Sequence, residues 1–348
     1  RQGDLRLTDQ GFEWRSDWQA AGVLAERLRL NAGVTGPLED PAQWLLRWTI
    51  DASGLQPGAA LQARWPWLQP LRFERARAQA AGEWRAGTLG DSDLSFSSRA
   101  VRRLGAQPAQ LADVDIGLHV RPTLQGGSLE LAPLRLTGLR GAWPAGTARL
   151  QWQGPLTQAQ FQLNADHLRL DDLGRWLAPY VPSSLKLPHG LLSSLTGNVD
   201  GLDLRWQPPA PAGEGTDGGV ARPLRLAYQA AFRALGAGGV GEPGLTALDG
   251  RIDGDEQGGR LQVQGHESRL TLPQVWAASV PLEQLVVDAR WQRDEGRWQL
   301  TLPAFTVGVL GAHLQGHAEL HDALDEARVL QLESNLSAGD VEALKPLM

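Results

Sequence analysis

Residues 285–302, LVVDARWQRDEGRWQLTL, decide the fold. Leu285, Val287, Ala289 and Trp291 recur with a period of two. A polar turn ending in Asp294-Glu295-Gly296 follows, and Trp298, Leu300 and Leu302 resume the same period. Period-two alternation marks a strand with one apolar face, and two such runs around a Gly-containing turn mark a hairpin. Pairing about that turn predicts Trp291 opposite Trp298, Ala289 opposite Leu300 and Val287 opposite Leu302. All six side chains then share one face, and Asp288, Arg290, Gln299 and Thr301 take the other.

The same grammar runs along most of the chain. Leu129 and Leu131 continue as Leu134 and Leu136, with Pro133 shifting the phase. Leu150 and Trp152, then Phe161, Leu163 and Ala165, then Leu202, Leu204 and Trp206 repeat it. So do Leu224, Leu226 and Tyr228, and later Leu314, Ala318 and Leu320. Breaks of Gly, Pro, Asn or Asp separate these runs, which predicts a long antiparallel meander. Helical spacing is scarce. Leu173, Trp176, Leu177 and Tyr180 after Asp171-Asp172 predict a short helix that Pro182 stops, and Asp40-Pro41 before Trp44 and Trp48 could open another. Residues 207–223, QPPAPAGEGTDGGVARP, read as a flexible loop within one fold.

More than a dozen amphipathic strands need a cover for their apolar faces, and the helices are too few to supply it. Either two sheets close face to face, or the sheet curls around an apolar ligand. Periodicity alone does not choose.

Composition narrows the chemistry. The chain has 348 residues, no Cys, 41 Gly, 22 Pro and 14 Trp. Zero Cys excludes disulfides, thiol catalysis and thiolate metal sites. A net charge of −6 gives no electrostatic reason to bind nucleic acid. His313, His317 and His321 are four apart, but Leu314, Ala318 and Leu320 make the stretch a strand. Residues four apart on a strand sit about 13 Å from each other, too far for one ion. They read as a solvated face, the alternative being a metal shared with a partner strand. Gly236, Gly238 and Gly241 fit GxGxxG literally, but Glu242-Pro243-Gly244 leaves no helix to receive a phosphate. Asp171-Asp172 reads as a helix cap, and Asp253, Asp255 and Glu256 as a solvated hairpin tip. No nucleophile constellation is present, so no catalytic residue is assigned. Eight Trp have an Arg neighbour: Trp14, Trp48, Trp65, Trp84, Trp176, Trp206, Trp291 and Trp298. On a strand such a pair turns the ring to one face and the charge to the other.

From about Asn164 onward the order of features resembles the central region of the YhdP-type, AsmA-like proteins of Gram-negative bacteria. The passage comprises LRLDDL (168–173), LKLPHG (185–190) and LDLRW (202–206). It continues through Tyr228 to Phe232, Glu242-Pro243-Gly244, Leu272-Pro273, Trp291, Trp298 and Ala338-Gly339-Asp340. The similarity covers residues 164–348, while the first 160 or so share only its strand-rich, Trp-containing style.

The resemblance implies a mainly β fold: a long antiparallel meander curled into an elongated, twisted groove with an apolar concave face and a few short helices. It implies that residues 1–348 are an excerpt of one continuous groove, anchored to the inner membrane by a segment absent here. It further implies a non-catalytic carrier of phospholipid across the periplasm towards the outer membrane, with no cofactor. The groove-lining residues expected on that basis are Leu261, Val263, Leu270 and Leu272, then Leu285, Val287, Ala289 and Trp291. Trp298, Leu300, Leu302, Phe305, Val307 and Val309 complete them. The partners would be phospholipid and, through regions outside this chain, the two membranes, with protein partners undefined. The alternative is a structural or assembly module of the envelope that acts through protein contacts without bound lipid.

Overall fold

The computed structural model describes residues 2–8, 11–18, 25–37, 39–56, 58–64, 68–85, 87–104, 108–155, 158–177, 194–209, 224–238, 242–274, 278–294, 296–321 and 329–337. Most of the loop at 207–223 therefore lies outside the described residues. The chain divides into two compact units, Arg1–Ala159 and Gln160–Met348.

The first unit begins with β1 (Gln2–Thr8), β2 (Gly11–Trp18), β3 (Arg27–Thr35), a single 3-10 turn (Pro41–Gln43) and β4 (Leu45–Ser53). It continues with α1 (Ala59–Arg64), β5 (Leu71–Glu74), β6 (Arg77–Arg85), β7 (Thr88–Arg103) and β8 (Ala109–Thr123). It ends with β9 (Gly126–Gly138), β10 (Gly141–Ala142) and β11 (Gly146–Gln153). The second unit opens with β12 (Gln160–Arg169), α2 (Leu170–Leu177), β13 (Thr196–Gln207), β14 (Arg225–Ala237) and β15 (Gly244–Asp255). Then come β16 (Gly258–Thr271), β17 (Val280–Pro281), β18 (Gln284–Asp294), β19 (Arg297–Val309), β20 (Ala312–His321) and β21 (Val329–Ser337).

Each unit is an antiparallel meander. In the first, β1, β2, β3, β4, β6, β7, β8, β9 and β11 pair in succession. In the second the succession is β12 to β16, then β18 to β21. The short strands are side pieces: β5 on β7, β10 on β9 and β17 on β16. Among the described residues no pairing joins the first strand of either succession to its last, so each sheet is open.

Successive connections of a meander alternate between its two edges. In the first unit α1 with β5, and β10, fall on one edge; in the second α2 and β17 do the same. We call this the insertion edge. The opposite, turn edge carries two-residue connections between β1 and β2, β6 and β7, and β8 and β9, and likewise between β15 and β16 and between β18 and β19. On the insertion edge a two-residue connection occurs once, between β19 and β20, where Leu310 and Gly311 both adopt positive φ.

The 285–302 hairpin forms, with one correction. Trp291 stands opposite Leu300, not Trp298, which instead faces Arg293. Ala289 falls at a register shift, and Val287 faces Phe305, not Leu302. The turn is tighter than the sequence suggests, since Asp294 already pairs with Arg297. The one-residue slip beside Pro303 recurs in the pairing with β20, between Leu302 and Phe305. This bulge is why the apolar positions of β19 run 298, 300, 302 and then 305, 307, 309. A similar slip accompanies Pro133 in β9.

The predicted helix appears as α2 as far as Leu177, with the expected Asp171 and Asp172 in its first turn; Tyr180 and Pro182 lie outside the described residues. They do more than cap it. Both are buried; Asp171 accepts the Gly197 backbone N–H at 3.2 Å, and Asp172 lies 3.9 Å from the Arg169 guanidinium. The acids thus tie the helix to β13 and β12. The Asp40-Pro41 signal yields only the 3-10 turn, because β4 starts at Leu45.

Candidate functional site

One face of each meander is apolar, row after row. In the second unit a single register row reads Leu163, Leu204, Tyr228, Gly254, Gly259, Trp291, Leu300, Leu320 and Leu330. Nearer the insertion edge, Val199, Phe232, Gly250, Val263, Val287 and Phe305 form another. The first unit matches this with Leu5, Trp14, Ala32, Trp48, Gly82 and Ser92, leading to Val120, Leu129 and Leu150.

These rows are only partly covered. Leu163, Leu204, Leu261, Trp291, Leu300 and Phe305 are half-buried, and Leu330 and Leu332 on β21 are 61% and 57% exposed. An inner face sealed by a second sheet would bury its central rows. Phe232, Val263, Leu282 and Leu285 form a buried core towards the insertion edge, where Val280 is wholly enclosed, while the small side chains of Ala165, Ala230, Ala289 and Ala318 are buried elsewhere along the strands. In the first unit Leu68, Leu71, Ala76, Val101 and Val114 are buried at the corresponding edge.

The fourteen expected lining residues are placed as follows. Val263 and Leu285 belong to the buried core, and Leu261, Leu270, Val287, Val307 and Val309 pack against it. Ala289 is buried beside Leu261, and Phe305 pairs with Val287. Trp291 and Leu300 share a row, Leu302 pairs with Ala318, and Trp298 faces Arg293 nearest the turn. Leu272 is half-buried just beyond the end of β16.

Two aromatic side chains reach towards each other across this face of the second meander. The Trp291 indole N–H approaches the Tyr228 phenol oxygen. Their strands are three steps apart, about 14 Å in a flat sheet. Laid along the sheet over the strands between, the two side chains together cover that distance. Nothing stands between the rings because the intervening row positions are Gly254 and Gly259. A Cβ at Gly254 would come within 2.8 Å of the Tyr228 hydroxyl oxygen, and one at Gly259 within 2.5 Å of the Trp291 ring. In the first unit the Trp48 ring lies over Gly82 in the same way, 2.6 Å from where a Cβ would sit. Aromatic rings therefore lie along the sheet and pave it. Sequence reasoning missed this pairing, and Gly254 and Gly259 were hidden in what read as a solvated hairpin tip. That tip is also ordered: the Asp255 carboxylate accepts the backbone N–H groups of Gln257 and Gly258, and Glu256 accepts that of Leu226.

The opposite face is polar and laced with cross-strand ion pairs. Arg47 meets Glu83 at 2.9 Å, Arg260 meets Asp288 at 2.6 Å, and Arg233 and His167 converge on Asp200. His119 and Arg121 hydrogen-bond the Asp93 carboxylate, which holds it below its usual range and raises the His119 imidazole above its own. The Arg neighbours of six strand Trp, Arg15, Arg47, Arg85, Arg205, Arg290 and Arg297, are exposed, each alternating with its ring.

A cleft of about 1110 Å³ lies at the turn edge of the first unit, lined by Arg121, Leu124, Gly127, Trp152 and Pro155. Among the described residues no group of three or more His, Asp or Glu could hold a metal ion. The three His of β20 lie along that strand, with His317 near Glu333 and His321 near Glu319. Among the same residues no helix is long and apolar enough to cross a membrane.

No curated protein and no solved structure matches the chain significantly. One family model does, over residues 24–346, which span nearly all of both units. The chain belongs to the YhdP protein family.

Proposed function

We propose that the apolar face of each unit is a non-catalytic conduit that shields phospholipid acyl chains as they cross the periplasm between the membranes of the envelope. One observation carries the reading: rows of Leu, Val, Phe and Trp run strand after strand along a face that stays half-open. Membership of the YhdP family, which is not a known enzyme family, supports an envelope-associated role.

The energetics favour such a path. Exposing an acyl chain to water costs about 0.8 kcal/mol per CH₂, so a tail of about 16 carbons faces roughly 12 kcal/mol without shelter. A row of near-equivalent apolar contacts lowers that cost evenly and offers no deep pocket to trap the cargo. The expected lining residues, from Leu261 to Val309, would provide these contacts in the second unit.

The test is lipid content. The purified chain should retain phospholipid in native mass spectrometry, and Leu300→Asp, which puts a charge in a half-buried row, should lose it while remaining folded. Ala289→Asp is a poorer probe, since Ala289 is 6% exposed and a buried carboxylate there would disturb folding itself. A folded wild-type chain that carries no lipid and takes none from vesicles would defeat the proposal and leave an envelope module working through protein contacts.

A further inference from the structure

The tryptophans are not spread evenly across the strands. Trp14 and Trp48 lie three residues inside the turn-edge ends of β2 and β4, and Trp84 and Trp152 lie one residue inside those of β6 and β11. In the second unit Trp206 and Trp298 are one residue inside, and Trp291 is three. Tyr228 obeys the same rule, three residues into β14. Trp18 at the other end of β2, Trp143 beside β10 and Trp176 in α2 lie at the insertion edge, outside the pattern. Rows nearer the insertion edge are filled by Leu, Val, Ile, Ala and Phe, as in Leu30–Ile50–Ala80–Leu94 and Val199–Phe232–Gly250–Val263.

Resting on the lipid reading above, we propose that each unit holds its phospholipid in one orientation, with the polar head at the turn edge and the acyl tails directed to the insertion edge. Trp and Tyr carry an apolar ring and a polar N–H or O–H, and they concentrate where hydrocarbon meets the headgroup layer. A line of them along one rim marks that level. The β17 part of the other edge suits terminal methyl groups: Leu282 and Leu285 are buried there in an apolar cluster with Phe232 and Val263, and Val280 is enclosed.

Dimensions and charge agree. From Trp291 to Leu285 is six residues of β18, about 20 Å of strand, against about 15 Å for the hydrocarbon of one bilayer leaflet. At the rim, the exposed Arg293 guanidinium sits 5.9 Å above the Trp298 ring, on the same row. It is placed to meet a phosphate just outside the aromatic line.

The absence of Cys makes the orientation measurable. Trp298→Cys at the rim and Val309→Cys at the inner end of β19 each give one thiol for a bimane label in the full chain. The chains are then loaded from phosphatidylcholine vesicles brominated either near the ester or near the terminal methyl. Ester-proximal bromine should quench the label at 298 more strongly than methyl-proximal bromine, and the order should invert at 309. Leu300→Cys and Val307→Cys, one row inward from each end, repeat the measurement if an outer variant fails to fold. Lipid phosphorus present with equal or opposite quenching overturns the orientation alone. Loading that yields no lipid phosphorus overturns the conduit reading and the orientation with it.

Discussion

The two edges of the second meander are built from one strand set, yet they solve opposite problems. At the insertion edge β17 pairs with β16, Val280 is enclosed opposite Leu270, and Leu282 is buried in one cluster with Phe232 and Leu285. At the turn edge β18 and β19 are joined by two residues, and the rows end in half-buried Trp291 and Trp298. One edge stores stability; the other keeps apolar surface available. A single-layer sheet needs the first in order to tolerate the second, since an open face returns little of the entropy lost on ordering the chain.

That contrast can be broken most forcefully at the insertion edge. Phe232→Ala should cost about 3–5 kcal/mol, because it empties the centre of a buried cluster. Chemical denaturation monitored by circular dichroism checks this, and a loss no larger than that of a surface variant would deny the edge its role as the core. Next in size is Gly259→Ala. The added methyl meets the Trp291 ring and the Asp253 carbonyl, so a loss of about 1–3 kcal/mol is expected. The approach of the Trp291 indole to Tyr228 should be lost with it, seen as a shift of the indole N–H resonance. An unshifted resonance would mean that the rings do not rest on the glycines.

Trp298→Ala sharpens the contrast from the other side. Its ring is half-buried and faces Arg293, so the stability loss should stay under about 1 kcal/mol while retained lipid falls. The smallest effect belongs to the polar face. The His119 imidazole titrates above the ordinary 6.5, so its pairing with Asp93 favours the fold fully below 6.5 and fades as pH rises through the raised value. Asp93, held below the ordinary 3.8, contributes above 3.8 and loses its contribution as pH falls through the lowered value. Both groups are largely exposed, so His119→Gln should flatten only a shallow pH slope near neutrality. A histidine NMR titration centred below 6.5 would contradict the pairing.

The meander was legible because period two is a local signal. Leu285 to Trp291 announces its face whatever lies beside it, and residues such as Leu163, Leu204 and Leu300 proved to share one row. Register was less legible. The tight turn moves the partner of Val287 two places beyond Leu302 and the bulge beside Pro303 moves it one more, to Phe305; a strand's own alternation does not show which partner residue it faces. The paving of Gly254 and Gly259 by Tyr228 and Trp291 was invisible for a related reason. A glycine in a hairpin tip looks like turn chemistry until its cross-strand neighbour is known. The acids of α2 were read as a cap from their position, and only the fold brings Gly197 and Arg169 to them. The edge preference of the tryptophans was present in the sequence as spacing from turns, but it needs strand direction to become a pattern.

Placing the insertions on one edge and most of the strand tryptophans on the other imposes a counting rule on descent within the family. Adding or deleting one strand reverses the direction of every later strand, which would carry Trp291 and Trp298 to the edge now occupied by β17. A gain or loss of two strands leaves all later directions intact. Homologues of different length should therefore differ by whole hairpins, in even numbers of strands, with the aromatic line unbroken across each junction.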